Sequence, residues 1–417
     1  MIRKISLLLL LCTLTLVSSA CWDRKEIDKL AIVIGFGVDL IPGPKPYLLT
    51  AQIVNPTALQ KGKAGGGSTE TKPFVVTLAQ GESIYDAIRN FSMDSPRRLF
   101  FSHNSILVIG ERMARSGVQP ILDFFERDPQ FRRTMWVLVT PRTAKEVLES
   151  KLDLNSLSAM GVEMMIREFH QSSAVKVVQR KDFMSNLASK SSSAAASRID
   201  LYKETAIVQQ KLQEADGNKP QDQKSDHSSA YEEQQEQLRL NGTALFHKDK
   251  LAGYMNEQES RGLLWILGEI KGGAVVAGCP NQEKGKTVFR VNHTHAKLTP
   301  AYEKDGLSMH IEIEEEGAIA EVSCKKLDIS KPETIKELEK TQAEIVEKRI
   351  MSTVQKAQSL KSDVVKFGEA FHRKDPKKWK QMEADWGKHF AQVKVTVHVT
   401  SKIRRVGMTS KPVIVAE

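Results

Sequence analysis

The sequence predicts a multi-domain protein of mixed α/β and α+β class. An N-terminal α/β region is followed by a C-terminal antiparallel sheet packed by a long helix. Three observations predict this. Strand-like apolar runs alternate with helically spaced ones between residues 73 and 150, as in α/β layer packing. Beyond a polar stretch at 215–237 the order changes to strands, then helices, then a final strand. The chain has 417 residues, more than one hydrophobic core usually serves.

The elements follow in order. Residues 30–40, LAIVIGFGVDL, are rich in Ile and Val and form a buried strand. Gly35 and Gly37 mark a close approach by backbone or ligand. Residues 47–54 are a second strand, ended by Asn55-Pro56, and 60–72 with three consecutive glycines form a loop. Strands follow at 74–78, 105–109 and 134–140. Helices follow at 82–91, at 111–126 with a break near Gly117, and at 143–148, with helical segments near 156–169 and 181–187. Residues 189–197, SKSSSAAAS, are of low complexity. Residues 215–237 are too polar to bury a core, which makes 214–238 a linker or long exposed loop.

In the C-terminal half, strands are expected at 239–247 and 251–254, then a short helix at 260–268. Strands at 273–278, 287–298, 307–314 and 318–324 come next. Ser330 with Glu333 has capping-box spacing. The helix it opens runs to about 360, with Ile335, Leu338, Ile345, Ile350, Val354 and Ala357 on one stripe. That stripe must be buried, most simply on the preceding sheet. Shorter helices at 363–372 and 376–386 precede a half-buried strand at 393–403. The resulting division is 1–20 leader, 21–213 N-terminal region with 73–150 as a candidate subdomain, 214–238 linker, and 239–417 C-terminal domain.

Composition excludes several classes. The chain is 41% hydrophobic and 27% charged, so it is neither mainly disordered nor a collagen-like repeat. A polytopic membrane protein is excluded by a mean hydropathy of −0.33 and by a single long apolar run. Net charge is +10, and +8 without Arg3 and Lys4 of the leader, a modest surplus that fits an anionic membrane surface at least as well as nucleic acid.

The first residues read as an export signal. Arg3 and Lys4 precede a thirteen-residue apolar stretch, then Ser18-Ser19-Ala20 and Cys21. A Cys in that place accepts a diacylglyceryl group on its thiol, and cleavage before it frees an amine for acylation. Cys21 is therefore the expected lipidation site, although Ser18 stands where a lipobox usually has Leu. Of four cysteines, Cys12 leaves with the leader and Cys21 carries lipid. Cys279 and Cys324 are either a disulfide or two buried thiols.

Catalytic patterns are missing. There is no P-loop, no GxSxG elbow, no HExxH helix and no zinc-spaced Cys/His set. Gly35-Phe36-Gly37 lacks the third glycine of a dinucleotide loop. His293 and His295 share a strand face, with His310 as the third ligand a metal site would need, but two exposed imidazoles explain them better. The acidic run 312–316 reads as a solvated strand end. Arg97-Arg98 and Arg132-Arg133 read as loop charges rather than an anion site. His103, with Asp123 or Asp128 as conceivable partners, reads as a structural histidine. Trp265, Trp379 and Trp386 read as core. Nucleic-acid binding lacks a basic stripe interleaved with aromatics.

The N-terminal residues 21–27, CWDRKEI, followed by 30–39, LAIVIGFGVD, resemble the lipidated start of the Ger(x)C lipoproteins. These are the C subunits of nutrient germinant receptors in spore-forming bacteria. The similarity continues at 81–89, 97–103, 108–111 and 122–128, at 242–251, at Ser362-Asp363 and Phe367-Gly368, and at Pro376, Trp379 and Trp386. The order of these blocks is more specific than any one of them. The resemblance implies a non-catalytic, lipid-anchored subunit on the outer face of the spore inner membrane. Its implied partners are polytopic A and B subunits, with no cofactor, no metal, no nucleic acid and no direct small-molecule ligand. Only Cys21 carries over with a definite role. The alternative is a free-standing solute-binding lipoprotein serving a transporter, a class usually built from two similar lobes.

Overall fold

The computed structural model describes residues 3–6, 29–55, 73–150, 158–202, 236–280, 284–325 and 327–407. Its largest element is a nine-stranded mixed sheet. The strands are β1 (Leu30–Leu40), β2 (Tyr47–Val54), β3 (Phe74–Gly81), β4 (Arg98–Phe100), β5 (Ile106–Gly110), β6 (Trp136–Thr140), β7 (Ala195–Tyr202), β8 (Gln237–His247) and β9 (Lys250–Met255). The order is β3-β2-β1-β5-β6-β7-β8-β9, with β4 beside the start of β1. The central strands β1, β5, β6 and β7 are parallel, and antiparallel hairpins flank them on both sides.

Helices cover both faces, which is why the central strands are apolar throughout. On one face lie α1 (Ile84–Asp94), α2 (Glu111–Ser116) and α3 (Gln119–Arg127). Their core includes Phe36, Phe101, Phe125 and Phe131, with ring centroids 4.5–5.9 Å apart. On the other face lie α4 (Ala144–Glu149) and α5 (Ser158–Ser172). Here Gly35 and Gly37 have their use: an added Cβ would stand 2.8 Å from Ala159 and from Ala144 respectively. The glycines admit helices, not a dinucleotide. The helix α6 (Arg180–Ala188) follows.

The large sheet runs past the polar stretch. Strands β8 and β9, counted with the C-terminal half on sequence grounds, extend this sheet: β8 pairs with β7 and β9 with β8. Strand β7 itself occupies part of the low-complexity stretch, because Ala194 and Ala196 are wholly buried and need no larger side chain. Residues 73–150 share this sheet with β1 and β2. Most of the 214–238 linker lies outside the described residues, as do Cys21 and the 60–72 loop.

The second sheet has four strands, β10 (Ala274–Gly278), β11 (Lys286–Glu303), β12 (Gly306–Val322) and β13 (Lys394–Arg405). The strands expected at 307–314 and 318–324 are one continuous strand. The sheet is not wholly antiparallel: β13 is parallel to β12, with Ser308 opposite Lys394. The chain leaves β12 at one end and must return to the other before β13, and a parallel pair needs such a crossover. The helix α7 is Glu257–Ile266. The return is made by α8 (Pro332–Ser359), about 42 Å long at ~1.5 Å per residue, and by α9 (Phe367–Lys374), α10 (Pro376–Met382) and α11 (Trp386–Phe390).

The start of α8 corrects one expectation. Its N-cap is Lys331 with Pro332 at the first helical position, and no side chain caps it. Ser330 Oγ donates instead to Asp328 Oδ1 at 2.6 Å. Proline lacks one of the N–H groups a cap would satisfy and fixes a helical φ. Of the expected stripe of α8, Leu338, Ile350, Val354 and Ala357 are buried and Ile335 and Ile345 half-buried, and Gln342, Val346 and Thr353 are buried beside them. Cys279 and Cys324 form a disulfide, with Cα atoms 5.8 Å apart.

Candidate functional site

The sheet ends and the seam between the halves hold the polar groups of interest. At the finishing end of the parallel strands, Asp39 of β1 is buried. Its carboxylate accepts from the backbone N–H of Ala144 at 2.8 Å and Lys145 at 3.2 Å. Burial outweighs these bonds and pushes the carboxyl up to about 6. Gly110 makes room, since a Cβ there would collide with Asp39 Oδ1. Arg142 beside it reaches Asp200 and Glu236, each at 3.3 Å.

Between the two halves lies a cleft of about 910 Å3, bordered by α3, α6, the β8–β9 turn and the segment before α11. Its floor is a polar knot. Asp363 accepts from the N–H groups of Phe367 (3.0 Å) and Gly368 (2.7 Å) and from Trp386 Nε1 (2.7 Å). Burial pushes its carboxyl up to about 6 against these three donors. His247 Nδ1 lies 2.7 Å from the Lys361 carbonyl. Through these three bonds Asp363 ties the first turn of α9 to Trp386 of α11.

The sequence-flagged residues are scattered. His103 is exposed and lies against the Phe100 ring, 5.5 Å between centroids. Asp123 is engaged with Arg127 and Asp128 with the Gln130 N–H. His293 and His295 are exposed, opposite Glu316 and Glu314. His310 sits four residues further along β12, about 13 Å at ~3.3 Å per residue, with Thr396 Oγ1 at 2.8 Å. Among the described residues no group of three such side chains could hold a metal, and no helix is long and apolar enough to cross a membrane. Trp265, Trp379 and Trp386 are core residues.

The acidic run departs from its expected role. Glu312 pairs with Lys297 at 2.8 Å and Glu316 with Arg404 at 2.5 Å. Glu315, however, is wholly buried. It accepts from Trp265 Nε1 (3.1 Å), Gln342 Nε2 (3.0 Å) and Ser401 Oγ (2.5 Å), and burial raises its pKa. Ile311, Ile313 and Glu315 share one strand face, so the alternation itself placed Glu315 inward. Asp39 and Asp363 gave no such signal in isolation.

No constellation for covalent or acid–base chemistry is present among these groups; the buried carboxylates are structural. The fold is that of a solved protein structure. A solved structure described as "Crystal Structure of the GerBC protein" matches with a TM-score of 0.54 and 16% identity, over 89% of this chain and 98% of that one. Residues 23–201 match the family described as "Spore germination protein N-terminal domain", and residues 241–407 match "Spore germination B3/ GerAC like, C-terminal". The two matches fall on either side of the polar stretch. Among relatives in Bacillus subtilis (strain 168), "Spore germination protein KC" is 27% identical over 99% of this chain and 98% of its own length. "Spore germination protein B3" is 23% identical over 94% and 95%. The chain belongs to the Ger(x)C family of spore germination proteins, which is not a family of enzymes.

Proposed function

We propose that this protein is the lipid-anchored C subunit of a spore nutrient germinant receptor. It is non-catalytic, is held by Cys21 on the outer face of the spore inner membrane, and assembles with polytopic A and B subunits to trigger germination. The observation that carries this reading is similarity to spore germination proteins KC and B3 along almost the whole of each chain. A protein that works by assembly needs surfaces and an anchor rather than reactive groups, and every buried carboxylate described above is spent on holding the fold.

The test is a pull-down of tagged protein from gently solubilised spore membranes, with mass spectrometry of what accompanies it. Two polytopic membrane proteins are the expected companions. A lipidated protein that comes down alone would sink the subunit reading and favour a solute-binding lipoprotein. The cleft of about 910 Å3 is the feature that speaks for that second reading. Against it stand the unlike halves, a nine-stranded and a four-stranded sheet, where hinged solute-binding proteins have two similar lobes. For the anchor itself, Cys21→Ala should leave the fold intact and release the protein from membranes, because two acyl chains supply stable attachment that one does not. Retention of the variant in the membrane fraction would exclude lipid as the anchor.

A further inference from the structure

One end of the large sheet carries cations that form no ion pair among the described residues. Because β1, β4, β5 and β6 are parallel, the loops that enter them lie at the same end. Arg97 and Arg98 stand at the start of β4, beside Leu30 of β1. Arg132 precedes β6, and Lys181 is joined to that loop by its N–H bond to the Arg133 carbonyl at 3.0 Å. All four side chains are exposed. Among the described residues none of the four has an ion-pair partner.

The neighbouring acids do not neutralise them. Glu126 is taken by Arg133 at 2.6 Å and Arg180 at 3.2 Å. Asp128 accepts from the Gln130 N–H, which leaves the exposed Asp182. At the opposite end of the same strands Arg142 is paired with Asp200 and Glu236, Arg115 with Glu111 and Lys145 with Glu149, while the exposed Lys45 and Arg112 have no ion-pair partner among the described residues. Among the bases named, the entry end therefore carries four without an ion pair and the opposite end two.

The position of the N-terminus says what faces the unpaired end. Strand β1 starts at Leu30, and eight steps of chain separate Cys21 from Lys29. At ~3.5 Å per residue they reach about 28 Å at most. A lipid on Cys21 thus keeps the entry end within that distance of the bilayer. We propose that the entry end of the large sheet lies on an anionic membrane surface, with Arg97, Arg98, Arg132 and Lys181 against lipid phosphates. Lipid and charge then act as two parts of one attachment, and the Arg142 end points elsewhere. This proposal rests on Cys21 being lipidated.

The test uses the mature chain from Trp22 without its lipid, so that charge acts alone. No core residue is lost, since the clusters begin at Ala31. It should bind vesicles of phosphatidylglycerol with phosphatidylcholine, release with added salt, and ignore phosphatidylcholine alone. Removing two charges by Arg97→Gln with Arg98→Gln should weaken binding about 25-fold, at roughly fivefold per charge. Lys45→Gln with Arg112→Gln removes the same charge at the other end, from two exposed residues, and should leave binding unchanged. Equal loss in both variants, or no binding to anionic vesicles, would overturn the proposal. So would an Arg97/Arg98 variant that keeps vesicle binding but loses its companions from spore membranes, since the surface would then meet an acidic protein. Failure of the anchor reading is separate and shows as an unmodified Cys21 in the mass spectrum of the N-terminal peptide.

Discussion

Three buried carboxylates set the behaviour of this protein at the scale of single residues. Asp363 satisfies three N–H donors from two helices. Asp363→Ala would strand all three and cost about 4 kcal/mol, at roughly 1–3 kcal/mol for each buried unpaired group with partial relief by water. The shift in urea midpoint measures it, and a loss under 1 kcal/mol would contradict the assignment. Asp39 makes a pH prediction. Its carboxyl rises from 3.8 unfolded to about 6 folded, so between these values the folded chain holds more proton. Stability attributable to it is present below about pH 4 and is lost as pH rises to about 6. The amount is about 3 kcal/mol. Asp39→Asn lacks this titration, so its stability relative to the parent should improve by that amount between pH 4 and 6. Parallel profiles for the two proteins would refute the claim.

Elements differed in how legible they were. The runs 30–40 and 47–54 became β1 and β2 with unchanged limits, because β-branched residues bounded by polar turns leave no competing reading. Strand β7 was hidden by its alanines, although Ile199 and Leu201 alternate with Arg198 and Asp200 in the strand period. The start of α8 was misplaced because Ser330 and Glu333 fit a capping box while Pro332 fixed a different first turn. Glu315 was hidden by its acidic neighbours. None of the polar knots was legible, because each joins residues far apart in the chain: Asp39 to 144–145, Glu315 to 265, 342 and 401. The disulfide is an element-scale feature of another kind. It closes a span of 45 residues between the end of β10 and the end of β12, and such a loop constrains the unfolded chain by about 4 kcal/mol. Cys279→Ser should lower the melting temperature accordingly, and reduction of the parent should lower it to the same value. A parent indifferent to reductant would mean the bond adds nothing.

The two halves of the molecule share one core. Ala195, Leu245 and Met255 of the large sheet belong to the same buried cluster as Trp265, Val365 and Phe367 of the second half. Hydrogen bonds cross the seam as well, from Ser193 N–H to the Asp363 carbonyl (2.9 Å) and from Ser362 Oγ to the Phe246 carbonyl (2.6 Å). A polar stretch in the sequence separates the halves, yet the strands that follow it, β8 and β9, complete the first sheet and floor the second core. Neither half can therefore unfold without exposing apolar surface of the other. A calorimetric scan should show one transition, with calorimetric and van't Hoff enthalpies in agreement. Leu245→Ala, at a wholly buried position, removes a methyl cluster from the seam and should cost about 2–5 kcal/mol. The whole transition should move down and stay single. If the parent or the variant melted in two steps, the seam would be an ordinary interdomain contact, and the large sheet could respond to a partner without the second half following. If the transition stays single, the two halves unfold as one unit, and the shared cluster at the seam is what binds them.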